Sequence, residues 1–207
     1  MFITFEGSEG SGKTSQQAQL AEYLAAQGYP VLATREPGGT PIGEKVRTIL
    51  SDLDHTAMHP RAEILLFQSS RAQLVEQVIR PRLDEGFMVL CDRYADSTMA
   101  YQGYGYQLVD LDILRTIVDF ATGGLKPHLT LMLDVDVEEG LRRRARGGEW
   151  NRLDAYDLAF YQRVRQGYLE MARAEPERWV LIDAGKPPDE VQEAIRAVVL
   201  ERLKEKG

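Results

Sequence analysis

The apolar run Phe2 to Phe5 leads into Gly7-Ser8-Glu9-Gly10-Ser11-Gly12-Lys13-Thr14, and a helical pattern begins at Ser15. A strand that opens through a glycine-rich loop onto a helix amino terminus is built to hold phosphate. The glycines let successive backbone N–H groups turn inward, and the helix dipole favours an anion. Lys13 is placed to meet the β and γ phosphates of a triphosphate, and Thr14 to ligate Mg²⁺. Such a loop requires a buried parallel strand under it and a helix packed beside that strand, which restricts the chain to a layered α/β architecture.

The remaining sequence follows that restriction. Short β-branched or apolar runs recur at Phe2 to Phe5, Val31 to Thr34, Met88 to Cys91, Leu129 to Leu133 and Trp179 to Ile182, and predict five buried strands. Between them, helical spacing covers Thr14 to Gln27, Arg61 to Glu85, Asp110 to Thr122, Tyr156 to Glu175 and Asp189 to Lys204. The alternation predicts a five-stranded parallel sheet with helices on both faces, in a single α/β domain spanning 1–207 with one helical insertion. Ligands of such sheets sit beyond the carboxyl ends of the strands, so the residues after each strand are the candidates for chemistry.

Composition limits the partners. A net charge of -7 gives no support for a phosphate-coating surface, so nucleic acid is not expected. Cys91 is the only cysteine, which excludes an intrachain disulfide and thiolate metal clusters and suits a reducing, cytoplasmic setting. No apolar run reaches the roughly 20 residues of a membrane span, and the start Met1-Phe2-Ile3-Thr4 carries no basic leader, so neither membrane insertion nor secretion is expected. His55, His59 and His128 lack ligand spacing, and Asp134 and Asp136 read as strand-end or helix-cap residues.

A triphosphate site alone does not separate a kinase from a regulatory NTPase or a motor. Asp92 follows the third strand and is placed to hold Mg²⁺ through water, with Arg93 beside it; a surface ion pair is the alternative for both. Arg35 follows the second strand, Arg47 lies a little beyond, and Arg142, Arg143, Arg144 and Arg146 form a dense run in an otherwise acidic chain. Fixed guanidinium groups are what a second phosphate would need in order to approach the first. Arg47 and Arg142 or Arg143 are equally compatible with solvated surface positions. The run ends in Gly147-Gly148 and reads as the start of a mobile flap over 141–152, in which Arg144 and Arg146 are the candidates to reach a migrating phosphoryl group.

Taken together, the loop at 7–14, Thr34-Arg35-Glu36-Pro37-Gly38-Gly39-Thr40, Ala62-Glu63-Ile64-Leu65-Leu66-Phe67, Asp92-Arg93-Tyr94, Ala100-Tyr101-Gln102-Gly103 and the arginine-rich flap resemble the thymidylate kinases in order and over most of the chain. The resemblance implies the P-loop NTPase fold of the nucleoside monophosphate kinases, with a short arginine-rich LID. It also implies transfer of the γ-phosphoryl group of ATP to dTMP with Mg²⁺, on the route to dTTP, by a homodimer. By residue it implies that Phe67 stacks on thymine, that Arg71 donates to the base O4, and that Thr98, Tyr101 and Gln102 meet base and sugar. Glu9 would reach the acceptor 3′-hydroxyl or the metal shell, and Lys186 the adenine side. Guanidinium can only donate, which favours thymine O4 over the amino group of cytosine. Read without the resemblance, Phe67 is a core aromatic. Ser8, Glu9, Gly10 and Ser11 offer no arginine within the loop, and in this the sequence resembles the bacterial kind, which implies that the flap arginines take that role. Pro37 resembles the family's rigid turn that holds Arg35, which leaves two forms of the Glu36–Pro37 bond open: cis within that turn, or trans as in most such bonds. The competing readings are a kinase for another nucleoside monophosphate and a nucleotide-switched binding protein.

Overall fold

A computed structural model describes residues 1–147, 152 and 156–204. Five parallel strands, β1 (Phe2–Glu6), β2 (Val31–Arg35), β3 (Met88–Asp92), β4 (Leu129–Asp134) and β5 (Trp179–Asp183), lie in the order β2-β3-β1-β4-β5. Ile3 pairs with Leu90 on one side and Leu129 on the other, so β1 sits at the centre and delivers the phosphate loop to the middle of the sheet's carboxyl edge. The expectation of five buried strands holds for β1, β3 and β4. It is corrected for β2 and β5, which are the sheet edges and are half-exposed because each has only one neighbour to cover it.

The helices cover both faces. On one, Leu20 and Leu24 of α1 (Lys13–Ala26) and Val191, Ile195 and Val199 of α9 (Pro188–Lys204) pack on Ile3, Phe5, Leu90, Leu131 and Leu133. On the other, α3 (Pro60–Leu74) and the turn after it pack Leu74, Val75 and Ile79 on Phe2, Val89 and Cys91. Beside them Tyr161, Val164 and Tyr168 of α8 (Leu158–Ala174) pack on Met132 and Trp179. Alternate residues of β1 thus serve opposite cores, as the pleat requires.

Several helices depart from the sequence expectation. The helix foreseen over Arg61 to Glu85 is interrupted by a π-helical turn, Val75–Ile79, before α4 (Arg80–Asp84). Pro81 stands just beyond this turn; it lacks the N–H that an undisturbed helix would use. A short helix α2 (Pro41–Ser51) was not foreseen, although Thr40 caps it by accepting from Gly43 N and Pro41 opens it. Between β3 and β4 stand α5 (Ala95–Thr98), a π-helical stretch Met99–Gly105 and α6 (Leu111–Thr122), of which only α6 was foreseen. The arginine run, expected as the start of a flap, is a regular helix α7 (Val137–Arg146) as far as Arg146. Asp136 caps it by accepting from Glu138 N and Glu139 N, and its last-turn arginines suit the carboxyl end of the helix dipole. Of the flap expected over 141–152, residues 148–151 lie outside the described residues. The Glu36–Pro37 bond is cis, the form the family's rigid turn implied against the general preference for trans. Among the described residues no helix is long and apolar enough to cross a membrane.

Candidate active site

The phosphate loop closes on itself. Gly12 stands at φ 88° at the amino end of α1, and Gly10, at φ 69°, lies so close to α7 that a Cβ there would come 1.9 Å from Gly140 O. Only glycine tolerates both the positive φ and the contact. The Lys13 ammonium donates to Gly7 O (3.0 Å), Ser8 O (2.8 Å) and Ser11 Oγ (3.2 Å), so it must exchange one of these partners to reach a phosphate oxygen. Burial, helped by the charge of Arg93, lowers the Lys13 pKa to about 8 against the pull of Glu9, Asp92 and Glu6. Gly7, Ser8 and Ser11 shape the loop from within, whereas Glu9, Gly10, Gly12, Lys13 and Thr14 border a cavity of about 690 Å³.

Asp92, at the end of β3, accepts from Thr14 Oγ1 at 2.5 Å. A hydroxyl and a carboxylate, both hard oxygen donors, thus meet at the cradle, a pair that suits Mg²⁺ completed by phosphate oxygens and water. The next residue, Arg93, takes φ 67°, rare for a side-chain-bearing residue. This turn is fixed beneath by Glu6, fully buried, whose carboxylate accepts from Tyr94 N (2.8 Å), Ser97 Oγ (2.6 Å) and Tyr168 OH (2.8 Å). Burial, reinforced by the negative charge of Asp96, raises Glu6 to about 7. The turn aims the Arg93 guanidinium back at the loop: it donates to Gly7 O (3.2 Å), Glu9 Oε1 (2.6 Å) and Tyr101 OH (3.1 Å). Although burial opposes its charge, Glu9 is held below the usual carboxylate range by Arg93, Lys13 and the Tyr101 hydroxyl.

The same cavity is bordered by Arg35, Arg47, Phe67, Arg71, Thr98, Tyr101 and Gln102, so residues far apart in sequence share one space with the loop. Phe67 borders it, half-buried, and is absent from the buried core. Arg35 is half-exposed and paired with Glu44 at 3.0 Å, and Arg47 donates to Pro37 O at 3.0 Å. Arg71 is almost wholly buried. All five of its N–H groups point at protein acceptors: Nε and Nη2 to Glu36 Oε2, Nη2 also to Tyr94 O, and Nη1 to Gln68 Oε1 and Thr98 Oγ1. A contact from Arg71 to a base would have to displace one of them.

From α7, Arg144 borders the cavity, and its charge reaches Glu9. Arg146 does not border it and is exposed; nor does Lys186, exposed in the turn after β5. Arg143, left open with Arg142 in the sequence, is the one that turns inward: it borders the cavity and donates to Ala184 O at 2.8 Å. Glu36, Glu63, Tyr156 and Phe160 also border the cavity and were not foreseen. Tyr156 and Phe160 stack at 4.1 Å between ring centroids, an aromatic spacing that their i, i+4 separation could have suggested.

A family model described as thymidylate kinase matches residues 5–195. The chain is 53% identical to a thymidylate kinase of Roseiflexus sp. (strain RS-1), covering 96% of this chain and 93% of that protein, and 52% identical to one of Deinococcus radiodurans, covering 98% and 97%. A crystal structure of thymidylate kinase from Ehrlichia chaffeensis superimposes with a TM-score of 0.78 at 36% identity, over 96% of this chain and 98% of that one.

Proposed function

This chain belongs to the thymidylate kinase family, and on that premise we propose how its own residues carry the transfer of a phosphoryl group from ATP to dTMP. The observation that carries the reading is the single cavity bordered by Lys13 and Thr14 as well as by Arg93, Phe67 and Gln102. The donor phosphates lie in the loop under Lys13, with adenine toward the turn that holds Lys186. Thr14 and Asp92 would hold Mg²⁺, which would offset the charge of the donor phosphates. The acceptor lies with its base on Phe67, its sugar near Tyr101 and Glu9, and its phosphate among Arg35, Arg47 and Arg93. Thr98 holds Arg71 in place behind the base. Arg93 faces both nucleotides, and Arg144 meets the migrating group, with Arg146 brought in only if the flap closes further.

The acceptor phosphate is already ionised near neutral pH, with its second pKa about 6, so no general base is needed and its oxygen attacks γ-phosphorus in line. The catalytic unit is the whole of 1–207, with its LID over 141–152, working in the cytoplasm on two small nucleotides and not on nucleic acid or a membrane. It works as a homodimer: Leu65, Ile113 and Phe120 are 57%, 57% and 88% exposed on α3 and α6, helices packed together through Ile64, Leu114 and Val118. ADP release measured with each nucleoside monophosphate in turn tests the reading. Stimulation by dTMP above all others is expected, and ADP release indifferent to any acceptor would overturn it.

A further inference from the structure

We propose that Glu63 is a positioning residue that sets base specificity by fixing the Gln102 amide with its carbonyl oxygen available to the acceptor. The proposal rests on the reading of Gln102 as a base contact. Glu63 lies on α3 and is 1% exposed. Its Oε1 accepts from Gln102 Nε2 at 3.0 Å and from Tyr106 OH at 2.9 Å, while its Oε2 accepts from Arg152 Nη2 at 2.7 Å. Arg152 is itself anchored through Nε to Leu50 O at 2.8 Å. The carboxylate is therefore held from three directions and cannot swing aside.

A carboxylate paired with guanidinium offers only acceptors, so the Gln102 amide must present its NH₂ to Glu63; the reversed amide would set two oxygens against each other. Gln102 borders the cavity, and with its NH₂ turned to Glu63 its carbonyl oxygen faces away from that carboxylate. That oxygen accepts from the N3–H of thymine or uracil and opposes cytosine, whose N3 is a bare acceptor.

The test compares kcat/KM for dTMP, dCMP and dUMP in wild type, Glu63→Gln and Gln102→Leu. A glutamine at 63 can donate or accept, which frees the neighbouring amide to turn. The dTMP-over-dCMP ratio should fall roughly 10-fold or more in Glu63→Gln, while the dTMP-over-dUMP ratio, which shares N3–H on both sides, stays as in wild type. A merely structural role would not separate the two ratios. An unchanged dTMP-over-dCMP ratio in Glu63→Gln, alongside a lowered one in Gln102→Leu, overturns the proposal. If Gln102→Leu leaves dTMP turnover at wild-type efficiency, the underlying reading of Gln102 fails and the proposal fails with it. Should Glu63→Gln not fold, the paired replacement Glu63→Met with Arg152→Met removes the same acceptor without leaving a lone buried charge, and the same two ratios decide.

Discussion

Around Lys13 the site is made of backbone. Eight consecutive residues supply the turn, the amides and the cation, and glycine is required at Gly10 because α7 stands 1.9 Å from where a Cβ would be. Around Arg71 it is made of side chains drawn from the residue after β2, from α3 and from the segment after β3, bonded to one another: Glu36 to Arg71, Thr98 to Gln68 and Arg71, Gln102 to Glu63. A backbone cradle recognises phosphate, which every nucleotide carries. A side-chain network can distinguish one base from another, since each member fixes the donor or acceptor sense of the next. The two regions meet at Arg93, whose guanidinium bonds to the Gly7 carbonyl on one side and to Tyr101 on the other.

Removing the junction should have the largest effect. Arg93→Ala and Lys13→Ala are each expected to lower kcat about 100- to 1000-fold or more while leaving thermal unfolding close to wild type; near-normal turnover in either would separate the two regions functionally. Next comes the support beneath the junction. Because Glu6 rises from 4.5 to about 7 on folding, its contribution favours the folded state most below pH 4.5 and is lost as pH rises through about 7. Relative to Glu6→Gln, wild type should therefore lose stability between pH 5 and 8, by at most roughly 3 kcal/mol. Chemical denaturation of both proteins across that range measures it, and a flat difference would remove the raised pKa.

On the acceptor side alone, Phe67→Ala should raise the KM for dTMP about 10- to 100-fold, the scale of one lost base–aromatic stack, with little change in the KM for ATP; equal changes in both would deny the division between regions. The smallest effect is expected at the rim. The Arg35–Glu44 pair is 49% and 44% exposed, so Glu44→Ala should cost less than about 1 kcal/mol in urea unfolding, and a larger loss would show that the pair is structural.

What the sequence revealed follows the same division. The cradle was legible because its residues are contiguous and its chemistry depends on their order. Asp92 and Arg93 were legible because they end a strand, although nothing in the sequence announced the left-handed turn at Arg93 or Glu6 beneath it. The acceptor network was visible only through family resemblance. Glu63 lies 39 residues from Gln102 and 89 from Arg152, and no local pattern encodes such pairs. The arginine run could not be sorted for a related reason. Successive residues on α7 point about 100° apart, so whether Arg143, Arg144 or Arg146 faces the cavity depends on how the helix is rotated, which packing against Glu9 and Ala184 decides. The edge strands read as buried because runs such as Val31-Leu32-Ala33 look alike whether one neighbour or two covers them.

The central claim is that loop and pocket open into one cavity, so that acceptor oxygen meets γ-phosphorus without a protein intermediary. The most direct measurement is the stereochemical course of transfer from ATP made chiral at γ-phosphorus. A single in-line displacement predicts inversion of configuration in the dTDP product; retention would mean two displacements through a phosphorylated residue and would contradict the account.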